Sequence, residues 1–83
     1  MSERIEALKE CFGKYEDYDF SLSGKRIRLL YTDDKYTNLK RNDEGIIELI
    51  HKHNDGEHQI WVKWDNGSGL MLLEGKDQYE VVQ

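Results

Sequence analysis

The chain has 83 residues, a formal net charge of −5, and 35% charged against 37% hydrophobic residues. This length makes one domain with a thin hydrophobic core, because a chain of this size buries only about 60–65% of its unfolded surface. No apolar run approaches the roughly 18 residues of a membrane helix, and no apolar segment follows the first residues, so we expect neither a membrane span nor a secretory signal. The single Cys11 forms no internal disulfide, which favours a cytoplasmic location.

Charge is unevenly spread along the chain. Six basic and two acidic residues lie between positions 21 and 41, whereas the flanking segments are acidic. The basic residues are Lys25, Arg26, Arg28, Lys35, Lys40 and Arg41. Because nucleic-acid affinity derives mainly from phosphate neutralisation, an acidic whole argues against avid non-specific binding. The basic segment leaves a local cationic patch open as an interpretation, beside the simpler one of solvated surface.

A short amphipathic helix is predicted over residues 2–12. Ser2 is a suitable N-cap, acidic residues in the first turn favour the helix dipole, and Gly13 supplies a C-terminal stop. Three apolar side chains share one face at spacings of three and four, namely Ile5, Leu8 and Phe12. Because so short a helix is unstable alone, we expect it to dock on the rest of the domain.

From Gly24 onward the pattern changes to short strands separated by turns. Five strands are predicted, at residues 27–31, 46–53, 57–64, 68–73 and 79–82. A long polar loop, residues 32–43, follows the first strand, and the dipeptides Asp55-Gly56 and Asn66-Gly67 predict two-residue hairpin turns. The predicted fold is mainly β: a small five-stranded SH3-like barrel, residues 24–83, with an N-terminal α-helix and acidic-aromatic connector, residues 1–23, packed on it.

The two predicted turns assign side chains to the two faces of the sheet. One face is the predicted core, formed by Ile47, Leu49, Ile60, Val62, Trp64, Met71 and Leu73. On the other face Trp61 lies between Ile50 and Leu72 in an apolar row, and Glu48 opposes Lys63 as a favourable charge pair. A slip of one residue would invert every assignment.

The apolar row has two interpretations. In the first, the helix covers it, since the apolar face of the helix and the row each need a cover. In the second, part of the row stays open for a partner protein, because a sizeable exposed apolar patch usually marks an interface. Trp61 would then be the anchor of the partner-binding site, Leu72 and Ile50 its floor, and Tyr36 its rim.

Residues 24–82 resemble a bacterial, archaeal and phage-associated family known as domain of unknown function 4314. The most specific matching piece is the turn Trp64-Asp65-Asn66-Gly67-Ser68. The other matching pieces are Gly24-Lys25-Arg26-Ile27, Thr32, Asp34, Tyr36-Thr37, Leu39, Asp43, Gly45, Val62-Lys63, Leu70, Gly75 and Asp77. The resemblance implies a small SH3-like barrel from prokaryotes or their phages. It implies no activity, because none is assigned to the family.

The sequence holds no constellation typical of catalysis. It has no Gly-rich phosphate loop, nucleophile elbow or cysteine pair. The acidic pairs Asp33-Asp34 and Asp43-Glu44 fall in predicted turns, where Asp commonly caps backbone amides. We therefore expect neither an enzyme nor a cofactor.

Three histidines lie near the first hairpin turn. In the predicted register His53 opposes His58, and His51 lies two residues along on the same face, an arrangement that could bind zinc or nickel. A solvated hairpin tip is the simpler interpretation, because the sequence offers only Asp55 and Glu57 to support such ligands. We expect no bound metal.

Two functions remain open. The first is a protein-interaction or adaptor module that binds through the apolar row, with an affinity nearly independent of salt. The alternative is a nucleic-acid-binding module with a steep salt dependence, in which Tyr36 stacks on a base unless it folds back on the barrel. Its binding residues would be Arg26, Arg28, Lys35, Tyr36, Lys40 and Arg41. The acidic total favours protein interaction.

Overall fold

The computed structural model describes residues 3–53 and 56–82, which form one helix and six strands. The helix is α1 (Glu3–Phe12). The strands are β1 (Tyr18–Asp19), β2 (Arg26–Tyr31), β3 (Glu44–Lys52), β4 (His58–Trp64), β5 (Leu72–Leu73) and β6 (Gln78–Val82). Within these two ranges, no helix is long and apolar enough to cross a membrane.

Helix α1 ends as predicted, and it packs against β3. The Gly13 amide donates a 2.8 Å hydrogen bond to the carbonyl of Lys9, which closes the last turn. Ile5 and Leu8 are buried, so the apolar stripe of the helix faces the sheet. The predicted N-cap, Ser2, lies outside the described residues.

The strands form one antiparallel sheet in the order β5-β4-β3-β2-β6, with β1 beside β3. Over the described ranges the outer strands β5 and β6 do not pair, so the sheet is not closed. The predicted count of five strands is wrong by one. The extra strand β1 comes from the connector, where the spacing of Tyr18 and Phe20 allows a short extended piece but is too short to predict a full strand. The mainly β class is confirmed.

The β3–β4 register differs from the predicted one by one residue at the hairpin end and by two residues beyond a bulge in β3. Near the hairpin end Ile50 pairs with Ile60 and Leu49 with Trp61, but beyond the bulge Ile47 pairs with Val62. Glu48 is the extra residue. The predicted turn residue Asp55 lies outside the described residues, as does Asn54.

The β4–β5 register is shifted by one residue from the predicted one. The Gly67 amide donates a 3.0 Å hydrogen bond to the carbonyl of Trp64, so Asp65 and Asn66 occupy the turn instead of Asn66 and Gly67. The strand predicted from residue 68 is reduced to Leu72–Leu73. Leu72 consequently opposes Ile60 and not Trp61.

The hydrophobic core combines residues from both predicted faces. Its buried members are Ile27, Leu29, Leu39, Ile47, Ile50, Ile60, Val62, Trp64 and Leu72. The predicted row of Ile50, Trp61 and Leu72 is therefore wrong, because its two aliphatic members point into the core. Met71, a predicted core residue, is 40% exposed.

Trp61 lies on the opposite face, which we call the outer face, beneath helix α1. Its ring meets those of Phe12 and Tyr18 edge-on at centroid distances of 6.2 and 6.3 Å. Leu49, its partner across the strands, is fully buried on the same face. The helix and connector thus cover part of the outer face, and the rest of that face is left for the site described next.

Candidate functional site

An open groove runs along the outer face beside the first turn of α1. Its larger part has a volume of about 760 Å³ and is lined by Ile5, Gly24, Ile46, Glu48, Lys63, Trp64 and Asp65. A smaller part of about 250 Å³ shares Glu48 and Lys63 and adds Arg4, Trp61 and Met71 among its walls. We call the two together the outer-face groove. The larger part lies within the size range of ligand-binding clefts, roughly 300–1,000 Å³.

The wall shared by the two parts carries a buried carboxylate. The side chain of Glu48 is 9% exposed and forms an ion pair with the Nε atom of Arg4 on helix α1. The hydroxyl of Ser23 donates a 2.6 Å hydrogen bond to the Glu48 carbonyl and fixes the bulge. The predicted pair of Glu48 with Lys63 is wrong, because Lys63 opposes Ile46 across the strands. The bulge turns Glu48 away from that register and toward the helix.

Trp61 stands at the boundary between the helix and the smaller part of the groove. One side of the half-buried indole meets Phe12 and Tyr18, and its Nε1 atom lies 3.4 Å from Oε1 of Gln59. The ring also lines the groove together with the exposed Met71. Of the predicted partner-binding residues, only Trp61 reaches this surface.

The two strand arginines of the basic segment are paired with acids. Arg26 donates a 2.8 Å hydrogen bond to Asp65 and lies 3.4 Å from Glu44, and the contact with Asp65 raises the pKa of Arg26 above its usual value. Arg28 donates a 2.8 Å hydrogen bond through Nε to Glu80. These pairs neutralise the outer side of β2, so the predicted basic residues do not form one continuous cationic stripe.

The loop at residues 32–43 presents Tyr36 to solvent. Its side chain is 96% exposed, so the interpretation that Tyr36 folds back on the sheet is wrong. The loop is held from below by the buried Leu39 and by two carboxylates that accept backbone amides, Asp34 from Tyr36 and Asp43 from Lys40, each at 2.8 Å. These two aspartates cap turns as predicted. Tyr36 lies outside the outer-face groove.

The three histidines do not converge. Because Lys52, and not His53, is the partner of His58, His58 faces the side opposite to His51 and its Nδ1 atom lies 3.3 Å from Glu74. His51 stacks on Tyr18 at 4.2 Å and contacts Asp17 at 3.2 Å. Across residues 3–53 and 56–82, no group of three His, Cys, Asp or Glu side chains has metal-binding geometry.

The connector is held on β3 next to His51. Asp19 accepts a 2.8 Å hydrogen bond from the Ser21 amide and lies 3.2 Å from the ammonium of Lys52. The hydrogen bonds from Ser21, followed by the contact with Lys52, lower the pKa of Asp19 below its usual value. The ionised carboxylate therefore helps to hold the connector, and with it the helix, on the outer face.

The sequence analysis did not identify Arg4, Glu48 or Met71 as groove residues. One signal was present: Glu48 is the single charged residue inside the aliphatic run of residues 46–50. A charged residue at such a position either faces solvent in a regular strand or lies at a β-bulge that changes the direction of its side chain. Here it marks the bulge, whose residue Glu48 lines both parts of the groove.

These features define a small mainly β domain with a docked N-terminal helix and an open groove between them. The family model described as Domain of unknown function (DUF4314) matches residues 1–82, and the chain belongs to this family. The match includes the helix and connector, beyond the resemblance seen over residues 24–82. No curated protein and no solved structure matches the chain.

Proposed function

We propose that the chain is a non-enzymatic binding module that docks a partner protein in the outer-face groove. The observation that carries this proposal is the groove itself, an open cleft on the sheet whose smaller part is lined by the half-buried Trp61 and the 40% exposed Met71. Aromatic and methionine side chains are enriched at protein interfaces. A cytoplasmic setting is part of the proposal and is supported by the free, exposed Cys11.

We also propose that the sheet is an incompletely closed relative of the SH3-like barrel. Three features support this class: the strand order with β2 between β3 and β6, the long loop at residues 32–43 after β2, and the short turn at residues 74–77 before β6. Small antiparallel sheets of this kind curl so that only short edges remain open.

Met71→Glu is expected to weaken binding of peptides that recognise the groove by at least about tenfold, because it places a charge on an apolar contact surface. The peptides are selected from a displayed random library on the wild-type chain, and their affinities are then measured by fluorescence anisotropy. Val81→Glu is the matched control: Val81 is 44% exposed, similar to Met71, but lies on β6 outside the groove. Equal affinities for wild type and Met71→Glu would contradict the proposed site.

The second candidate is single-stranded nucleic-acid binding by the loop at residues 32–43. One observation favours it, the 96% exposure of Tyr36 on a loop that also carries Lys35, Lys40 and Arg41. An exposed aromatic ring flanked by cations can stack on a base while the cations contact phosphates. Arg26 and Arg28 contribute less to this candidate, because each is already paired with a carboxylate.

If the loop binds nucleic acid, Tyr36→Ala lowers the affinity for a labelled oligothymidylate by about tenfold, the effect of losing one stacked base. With three phosphate contacts, the slope of log affinity against log salt concentration is about −2. Tyr15→Ala is the matched control, since Tyr15 is also exposed but lies on the connector. No binding of the oligonucleotide at low salt excludes this candidate.

A further inference from the structure

We infer that the outer-face groove takes a polypeptide segment carrying one arginine or lysine beside an apolar residue, and that Arg4 occupies the cation position when no partner is bound. This inference rests on the proposed function, since it names the chemistry of the partner at the same site. The cation of the partner would pair with Glu48 and displace Arg4. Helix α1 would then act as an internal competitor for its own groove.

Glu48 supplies the charge complementarity. Its side chain is 9% exposed, and a carboxylate buried to this extent is strongly destabilising without a cationic partner. It also stands in the wall shared by both parts of the groove, so any cation that pairs with it enters the groove. The position therefore selects for a positive charge.

Arg4 is a replaceable partner for that carboxylate. Its side chain is 58% exposed, and its ion pair with Glu48 is made through the Nε atom, whereas a two-pronged guanidinium pair would hold more firmly. It projects from the first turn of a ten-residue helix, the part of such a helix that opens most easily. Exchange of Arg4 for a cation of the partner leaves Glu48 paired in both states, so the exchange avoids the cost of an unpaired buried charge.

The surroundings of Glu48 limit the partner to one cation with apolar neighbours. Ile5 and Ile46 provide apolar walls in the larger part of the groove, where an adjacent aliphatic side chain of the partner would pack. Lys63 borders both parts and repels a second cation, while Asp65 is already engaged by Arg26 at 2.8 Å. A polybasic segment is therefore disfavoured.

The test is an NMR titration of the isotope-labelled 83-residue chain with two capped five-residue peptides. One has arginine between two isoleucines, and the other has citrulline, which keeps the shape but lacks the charge. The amides of Ile46 and Lys63 and the indole of Trp64 report on the groove. We expect the arginine peptide to bind about tenfold more tightly, the effect of one charge-assisted hydrogen bond.

Variants of Arg4 test its role as the internal competitor. Arg4→Ala and Arg4→Gln are expected to tighten binding of the arginine peptide by several-fold, because the binding-competent state no longer requires Arg4 to leave. Arg28→Ala is the matched control: it removes another arginine that is ion-paired with a carboxylate but does not line the groove. Thermal unfolding of each variant confirms that the domain is folded.

Three outcomes overturn the inference. Equal affinities of the arginine and citrulline peptides would mean that Glu48 does not pair with a cation of the partner. Weaker binding by both Arg4 variants would mean that Arg4 does not compete with the partner for Glu48. Free arginine amide binding as tightly as the peptide would mean a small-molecule cation site and not a polypeptide site. The first two results leave the proposed function standing. The third would also count against a polypeptide site, and library selection with Met71→Glu decides that question separately.

Discussion

Leu72→Ala is expected to lower the free energy of unfolding by about 3 kcal/mol, a typical cost for removing a fully buried leucine side chain. Leu72 is 0% exposed and opposes Ile60 within the hydrophobic core. The loss combines the transfer free energy of the removed carbons with the cavity left among side chains that cannot close over it. Urea denaturation followed by tryptophan fluorescence measures it directly.

Met71→Ala is the matched control for this prediction. Met71 is adjacent in sequence and 40% exposed, so its truncation is expected to change the free energy of unfolding by less than about 0.5 kcal/mol. The pair also discriminates between the two registers of β5, since the sequence-based register puts Met71 in the core and Leu72 on the outer face. A larger loss for Met71→Ala than for Leu72→Ala would mean that the observed register is wrong.

Gly45→Ala is expected to destabilise the domain by about 3 kcal/mol through overpacking. A Cβ atom at Gly45 would lie 2.7 Å from the carbonyl oxygen of Lys63 and 3.0 Å from Cα of Trp64. Both are backbone atoms of the neighbouring strand β4, so neither can rotate away as a side chain would. Relief requires the β3–β4 pair to separate locally, and the free energy of unfolding reports that cost.

Gly69→Ala is the control for the glycine substitution. No heavy atom lies within 4 Å of a Cβ built at Gly69, so this change is expected to alter the free energy of unfolding by less than about 0.5 kcal/mol. Both variants lose the same backbone entropy in the unfolded state, so their difference isolates the steric clash. Equal stabilities of the two variants would contradict the close approach of β3 and β4 at Gly45.

The candidate site was only partly visible in the sequence. Trp61 was identified as a surface residue, but its predicted neighbours Ile50 and Leu72 lie in the core. Side chains alternate between the two faces of a sheet. The extra residue in β3 and the turn that begins one residue earlier than predicted before β5 are therefore each enough to move a side chain from one face to the other. No local sequence pattern specifies such an offset.

The sequence by itself determined the elements of this protein. The stop residue Gly13 predicted where the helix ends, and the alternation of apolar residues located β2, β3, β4 and β6, because these signals depend on neighbouring positions in the chain. The capping of turns by Asp34 and Asp43 in the loop at residues 32–43 was predicted on the same basis, because each carboxylate accepts the amide of a residue two or three positions away.

Only the tertiary structure decided which surfaces these elements expose. Arg26 meets Asp65 and Arg28 meets Glu80, which lie 39 and 52 positions away, so the basic segment is neutralised by residues that no local reading connects to it. Likewise, the pairing of Arg4 with Glu48 depends on where the helix docks. Long-range packing determines these contacts, because the free energy of burial depends on which faces meet and not on the order of residues along the chain.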